Sequence, residues 1–335
     1  MKFRLNKLAV VGAAVLLAAL SACGGGSAAG GGEKVQLSLV AYSTPQAAYE
    51  DIIKAFQQTP EGRNVQFTKS FGGSGDQSRA VESGLKADVV AFSLEPDMTR
   101  LVKAGLVEES WNSGDTKGMV TESVVVIGTR KGNPKGLQDW DDLVKPGVEV
   151  ITPNPFTSGG ARWNVLAGYG AASEVGKDQA AGVAYLNDLF KNVPVQDDSA
   201  RKSLQTFSGG KGDAILAYEN EAIFAQQAGQ EIDYTVPPAT ILIENPVAVV
   251  KNSQHPTEAQ AFLKFLYSEQ GQKIFVENGY RPVADNIQGA HFPTPAKLFT
   301  ISDLGGWTAV NKEFFDPSAG VMADVERSIG VSVEK

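Results

Sequence analysis

Residues Pro153 to Trp163 read Pro-Asn-Pro-Phe-Thr-Ser-Gly-Gly-Ala-Arg-Trp. A strand-like run, Val148 to Thr152, ends at the two prolines, and a helix-compatible run, Ala161 to Ala172, follows. Ser158 is a good helix N-cap, and Gly159 and Gly160 let backbone come close to a guest. The free N–H groups of a helix start point at whatever sits there, and the helix dipole favours negative charge. The turn is therefore a candidate anion seat. From these residues alone, an ordinary capped helix with a glycine-rich turn reads the same way.

Four other strand-to-helix junctions have similar chemistry. Phe71-Gly72-Gly73-Ser74-Gly75 lies after a strand and before a helix. It is not a nucleophile elbow, because the second glycine of G-x-S-x-G falls on Asp76, and it lacks the Gly-Lys-Ser/Thr of a Walker A loop. Asp197-Asp198-Ser199-Ala200-Arg201 precedes another helix. Tyr42-Ser43-Thr44-Pro45 closes the first strand, and Tyr218-Glu219-Asn220-Glu221 closes a later one. Tyr218 either packs or donates into a cleft. Each junction alone is an ordinary cap. Five carrying Ser, Gly, Ala or Tyr point to one groove.

Catalytic and metal chemistry has little support. His255 and His291 are the two histidines, with no ligand spacing to another His or to Cys. No carboxylate pair is marked as an acid–base couple. No catalytic residue, metal or cofactor is expected.

These junctions need a scaffold, and the rest of the chain supplies one. Its 335 residues suffice for two cores. At 42% hydrophobic and 20% charged it has the composition of a soluble globular protein. The net charge of −8, with no basic patch interleaved with aromatics, argues against nucleic acid. Strands and helices alternate: Val35–Ala41, Gln46–Gln58, Val65–Phe71, Gln77–Leu85, Ala87–Leu94 and Asp97–Ala104. Ser123–Thr129, Val148–Thr152, Asp213–Tyr218, Ile232–Val236 and Val247–Val250 read as later strands. Helices are expected at 161–172, 177–191, 200–207, 222–227, 257–267 and 270–277. This rhythm predicts two α/β domains, each with its own largely parallel sheet. Ligands in such folds sit at strand C-terminal ends against helix N-termini.

The N-terminus is a targeting segment. Lys2, Arg4 and Lys7 precede an apolar run, Leu8 to Leu20, too short to span a bilayer comfortably. Leu20-Ser21-Ala22-Cys23 follows and resembles the lipobox of bacterial lipoproteins. That resemblance implies a signal peptide over 1–22, lipidation of Cys23, and a flexible linker over 23–33. Cys23 is the only cysteine, so no internal disulfide is expected.

The motifs together resemble the sulfate-binding proteins of bacterial sulfate/thiosulfate ABC importers. The similarity runs from about Val35 to Phe315. Its densest parts are Arg130-Lys131-Gly132-Asn133-Pro134-Lys135, Lys145-Pro146-Gly147-Val148, Val150 to Pro155, and Ser158 to Asn164. Leu189 to Val193, Tyr218 to Ala222 and Tyr280-Arg281-Pro282 extend it. The resemblance implies an α/β, two-domain periplasmic-binding-protein fold (type II) with the ligand in the interdomain cleft. One domain would comprise 34–122 and 247–335, the other 123–246. It implies an extracytoplasmic, membrane-anchored monomer that delivers sulfate or thiosulfate to ABC permease subunits. It also implies an anion held by neutral donors from Ser43, Ser74, Ser158, Gly159, Gly160, Ala200 and Tyr218. Tyr218 stands where the family has Trp, and Asp76 where it often has Lys. The alternatives are another tetrahedral oxyanion, molybdate or phosphate, or a lipoprotein enzyme acting on sulfate or phosphate esters.

Cys23→Ala is expected to move the protein from the membrane to the soluble fraction while leaving ligand binding intact. A single acyl chain holds a protein only marginally, so retention depends on lipidation of that residue. Membrane retention of Cys23→Ala after signal removal would refute the lipoprotein reading.

Overall fold

The structure is a computed structural model that describes residues 34–285, 287–331 and 333. The expected signal segment, Cys23 and the linker lie outside the described residues. The first third alternates β1 (Val35–Tyr42), α1 (Gln46–Phe56), β2 (Val65–Gly72), α2 (Ser74–Glu82), β3 (Val89–Ala91) and α3 (Glu95–Lys103). Then come β4 (Met119–Arg130), α4 (Trp140–Leu143), β5 (Val150–Ile151), α5 (Gly159–Ala172), α6 (Gln179–Lys191) and α7 (Ala200–Ser208). After these follow β6 (Ala214–Tyr218), α8 (Glu219–Gln227), β7 (Ile232–Thr235) and β8 (Ala239–Val249). The chain continues through α9 (Pro256–Leu266), α10 (Glu269–Glu277), β9 (Arg281–Pro282), β10 (Lys297–Phe299), α11 (Gly306–Phe314) and α12 (Val321–Ser328).

The helices follow from one-sided apolar spacing. In α1, Ala48, Tyr49, Ile52, Ile53 and Phe56 are buried, a stripe at helical intervals. Several helices start earlier than the apolar pattern suggests. α2 begins at Ser74, α3 at Glu95 and α8 at Glu219, ahead of the expected Gln77, Asp97 and Ala222. Serine, glycine and acids are poor in a helix interior but suit the first turn, where N–H groups are unpaired. Pro96 sits in the first turn of α3, where its missing N–H costs nothing.

The strands follow one path, β2-β1-β3-β8-β4-β6-β5, instead of the two separate sheets expected. β1 pairs in parallel with β2 and β3, as the βαβ rhythm requires. β4 spans 12 residues and β8 spans 11, longer than the expected strands. β8 pairs with β3 through Val247–Val249 and with β4 through Leu242–Pro246. β4 pairs onward with β6 and β7. These two strands therefore carry the chain between halves. Their polar residues hid their length: Thr121 donates to the Asn245 side chain at 3.2 Å, and Ser123 to that of Asn220 at 3.1 Å. Paired this way, polar groups stay inside a buried strand at little cost.

One core packs α1, α9 and α10 against the β1 sheet, around Tyr49, Phe56, Phe262 and Phe275. Another surrounds Trp163, Tyr169, Leu186 and Phe190 of α5 and α6. The C-terminal segment joins this second core, a departure from the expectation that 247–335 belongs wholly with the first half. Trp307 meets Trp163 edge-on at 4.8 Å, and Phe314 meets Tyr169 at 4.6 Å. Such pairs add to plain burial. Phe299 of β10 lies against Gly170 of α5, where any Cβ would collide with its ring.

Phe299 is 2% exposed, and its truncation would open a cavity under α5. Phe299→Ala is expected to lower the unfolding free energy by about 3–5 kcal/mol, read from the shift in urea midpoint. A loss below about 1 kcal/mol would show that the C-terminal segment is not part of the cooperative core.

Candidate functional site

The loops that lead into α1, α2, α3, α5, α7 and α8 meet around one small, closely walled cavity. Every residue expected to bind an anion lines it. Ser43 comes from the end of β1, and Ser74 from the start of α2. Ser158, Gly159 and Gly160 come from the start of α5, Ala200 from that of α7, and Tyr218 from the end of β6. Tyr42, Thr44, Gly72, Gly73 and Ser93 complete the lining. Among the described residues, no Asp, Glu, Lys, Arg or His lines the cavity. A wider groove lies elsewhere, between α3 and α11, but it is open and mixes Glu82 and Glu95 with Arg100 and Lys103.

Local chemistry sets each start. Ser158 is the N-cap of α5, accepting from the Ala161 N–H at 3.4 Å, so its own proton remains free to donate. The Asn154 side chain accepts from the Phe156 N–H at 2.8 Å, and its carbonyl accepts from the Ser158 N–H at 2.9 Å. This turn fixes the approach to Gly159. The Ser74 hydroxyl donates to Asp97 at 2.6 Å and accepts from the Ser93 N–H at 2.9 Å. Ser74 therefore has only its backbone N–H left for a guest. Burial raises the Asp97 carboxyl above its usual range, while Arg162 and the Ser74 hydrogen bond oppose that rise. Asp76 does not line the cavity. It pairs with Arg79 at 2.5 Å on the outer face of α2, half exposed.

The two sides close tightly. A Cβ on Gly73 would come within 2.9 Å of the carbonyls of Thr157 and Asp198. A Cβ on Gly159 would come within 2.6 Å of the Ser93 hydroxyl. Only glycine fits at either place. Arg201, next to Ala200, donates to the Thr44 carbonyl at 2.7 Å and to Glu221 at 2.8 Å. The Tyr42 hydroxyl is buried beside those of Thr44, Thr121 and Tyr280, with none in good hydrogen-bond geometry among the described residues.

Tyr218 is 1% exposed, and its hydroxyl lies 2.6 Å from that of Ser93. Burial drives its pKa upward, so it stays a neutral phenol. Sequence reasoning missed Ser93, because the apolar run Ala87–Leu94 reads as one strand. Its signal was its place just before α3, the position Thr44 holds before α1.

A family model described as "Bacterial extracellular solute-binding protein" matches residues 37–281. The chain belongs to this family. It is 44% identical to the sulfate-binding protein of Synechococcus elongatus over 84% of this chain and 84% of that one. It is 35% identical to the thiosulfate-binding protein of Pseudomonas aeruginosa, over 82% of this chain and 88% of that one. Among solved structures it resembles the sulfate-binding protein SubI from Mycobacterium tuberculosis H37Rv. The TM-score is 0.82 and the identity 46%, covering 84% of this chain and 100% of that chain. The fold is accordingly the two-domain, type II fold of periplasmic solute-binding proteins.

Glu221 sits behind the site in the first turn of α8. Burial pushes its carboxyl up from 4.5 to about 7, against the pull of the Arg201 charge. Between those values the folded chain holds the proton more tightly than the unfolded chain. Stability from this group is therefore present at low pH and lost as pH rises through about 7, by up to about 1.4 kcal/mol per pH unit. Glu221→Gln is expected to flatten that slope. A difference in unfolding free energy between parent and mutant that stays constant from pH 5 to about pH 7 would overturn the assignment.

Proposed function

We propose that this protein captures sulfate outside the cytoplasm and delivers it to the permease of an ABC importer, with thiosulfate as the related cargo. The observation that carries the reading is a small, buried cavity lined by N–H and hydroxyl groups at converging helix starts, with no charged side chain among the described residues. Sulfate is fully deprotonated at neutral pH and needs donors only. Hydrogen phosphate carries a proton that finds no carboxylate in this wall to accept it, and leaving it unpaired costs about 1–3 kcal/mol. The relatives named for sulfate and thiosulfate support the same cargo. In this reading the seven residues hold the anion. Ser74, Gly159, Gly160 and Ala200 act through backbone N–H groups, and Ser158 through its hydroxyl. Ser43 and Tyr218 complete the shell.

The role is binding, not catalysis. A lipid on Cys23 and a short linker would hold the body at the membrane surface. The lobes would divide at β4 and β8, with residues 34–122 on one side and 123–246 on the other. The chain after β8 would be shared between them, its C-terminal helices with α5 and α6.

Titration calorimetry with sulfate, thiosulfate, molybdate and phosphate tests the reading, with sulfate or thiosulfate expected to bind most tightly. Gly160→Asp serves as the control. A Cβ there would face Ala200 at 3.3 Å and Tyr218 at 3.6 Å, which puts the carboxylate in the cavity. The variant should fold but gain nothing from sulfate. The parent should gain about 2.7 kcal/mol at 100 times its dissociation constant. Equal stabilisation of both proteins by sulfate would rule out this cavity as the anion seat.

A further inference from the structure

We propose that Ser93 and Tyr218 act as one unit that presents a single shared donor to the bound anion. The inference rests on the reading of the cavity as an anion site. Ser93 is 1% exposed, and its position is fixed from both halves of the fold. Its N–H donates to the Ser74 hydroxyl at 2.9 Å. Its carbonyl accepts from the Trp163 indole at 2.8 Å and from the Asn245 amide at 3.0 Å. With its backbone committed, only the hydroxyl is left to act, and it lies 2.6 Å from the Tyr218 hydroxyl in the cavity wall.

Two neutral hydroxyls carry two protons, and one lies between the oxygens. The other has no acceptor of its own among the described residues: the further polar neighbour of the Tyr218 hydroxyl, the Asn245 side chain, faces it as a donor. A buried donor without an acceptor is costly. An anion oxygen in the cavity supplies that acceptor. The hydrogen bond inside the pair also polarises the outward O–H and strengthens it as a donor. Either hydroxyl can be the outer one, depending on which way the inner proton points.

This sharing has a measurable signature. Removing one hydroxyl frees the other from its partner, and the remaining proton turns to the anion. Removing both leaves none. Sulfate affinity is measured by calorimetry for the parent, Ser93→Ala, Tyr218→Phe and the double variant, with folding checked by melting. Each single variant is expected to bind within about fivefold of the parent. The double is expected to bind at least about tenfold more weakly than the product of the single losses predicts. A Ser93 that only supports the wall would cost the same factor with Tyr or Phe at 218. Double and single losses that multiply to within twofold therefore overturn the proposal. So does a Tyr218→Phe loss equal to that of the double, which would make tyrosine the sole donor. A parent that binds no sulfate would instead refute the anion reading itself.

Discussion

N–H groups at a helix start have no partner within the helix, and the dipole places partial positive charge there. In this fold α2, α5, α7 and α8 all begin at the rim of one cavity, and α1 and α3 begin beside it. The remaining architecture serves this arrangement. β1, β3 and β6 end where the helices start, which brings the loops together. β4 and β8 run through both halves and hold the two sets of helix starts face to face. Gly73 and Gly159 let the faces approach to distances no other residue would permit. The charged residues of this region stand one layer back. Asp97 fixes Ser74, and Glu221 fixes Arg201, which holds the Thr44 carbonyl.

This layering is what would let an acidic protein seat an anion, as proposed above. The net charge of −8 repels an anion at long range, but salt screens that field over about 8 Å. At contact the fixed dipoles act through a short distance in a medium poorer than water at screening charge. Their geometry is set by hydrogen-bonded turns, so little reorganisation is needed when a guest arrives. A cationic side chain in the wall would add attraction for any anion. Neutral donors distinguish guests by where protons are missing.

Much of this was legible in the chain because it is local. Ser, Gly and Ala at strand-to-helix junctions mark helix starts, and the seven residues that the family resemblance picks out at those junctions do share one cavity. What stayed hidden depends on contacts across the fold. Ser93 sits inside an apolar run, and only its neighbours Ser74, Trp163 and Asn245 show what it does. The full length of β4 and β8 was masked by Thr121, Ser123 and Asn245, polar residues whose partners lie about a hundred positions away. The C-terminal helices belong with α5 and α6 through aromatic pairs such as Trp163–Trp307, which no periodicity encodes.

The Tyr218 position shows how one residue of the wall depends on its neighbours. An indole donates only, so it could face an anion without help. A phenol has both a proton and lone pairs, and in a buried wall each needs a use. Ser93 provides it: the two hydroxyls satisfy one another and leave one proton for the cavity. The same serine anchors Trp163, whose ring belongs to the core that receives the C-terminal helices. The residue that tunes the wall is thus joined by one hydrogen bond to the packing that holds α5 in place. A change at Ser93 reaches both the donor inventory of the cavity and the seating of the α5 helix start, and the two effects separate only when affinity and melting are read together.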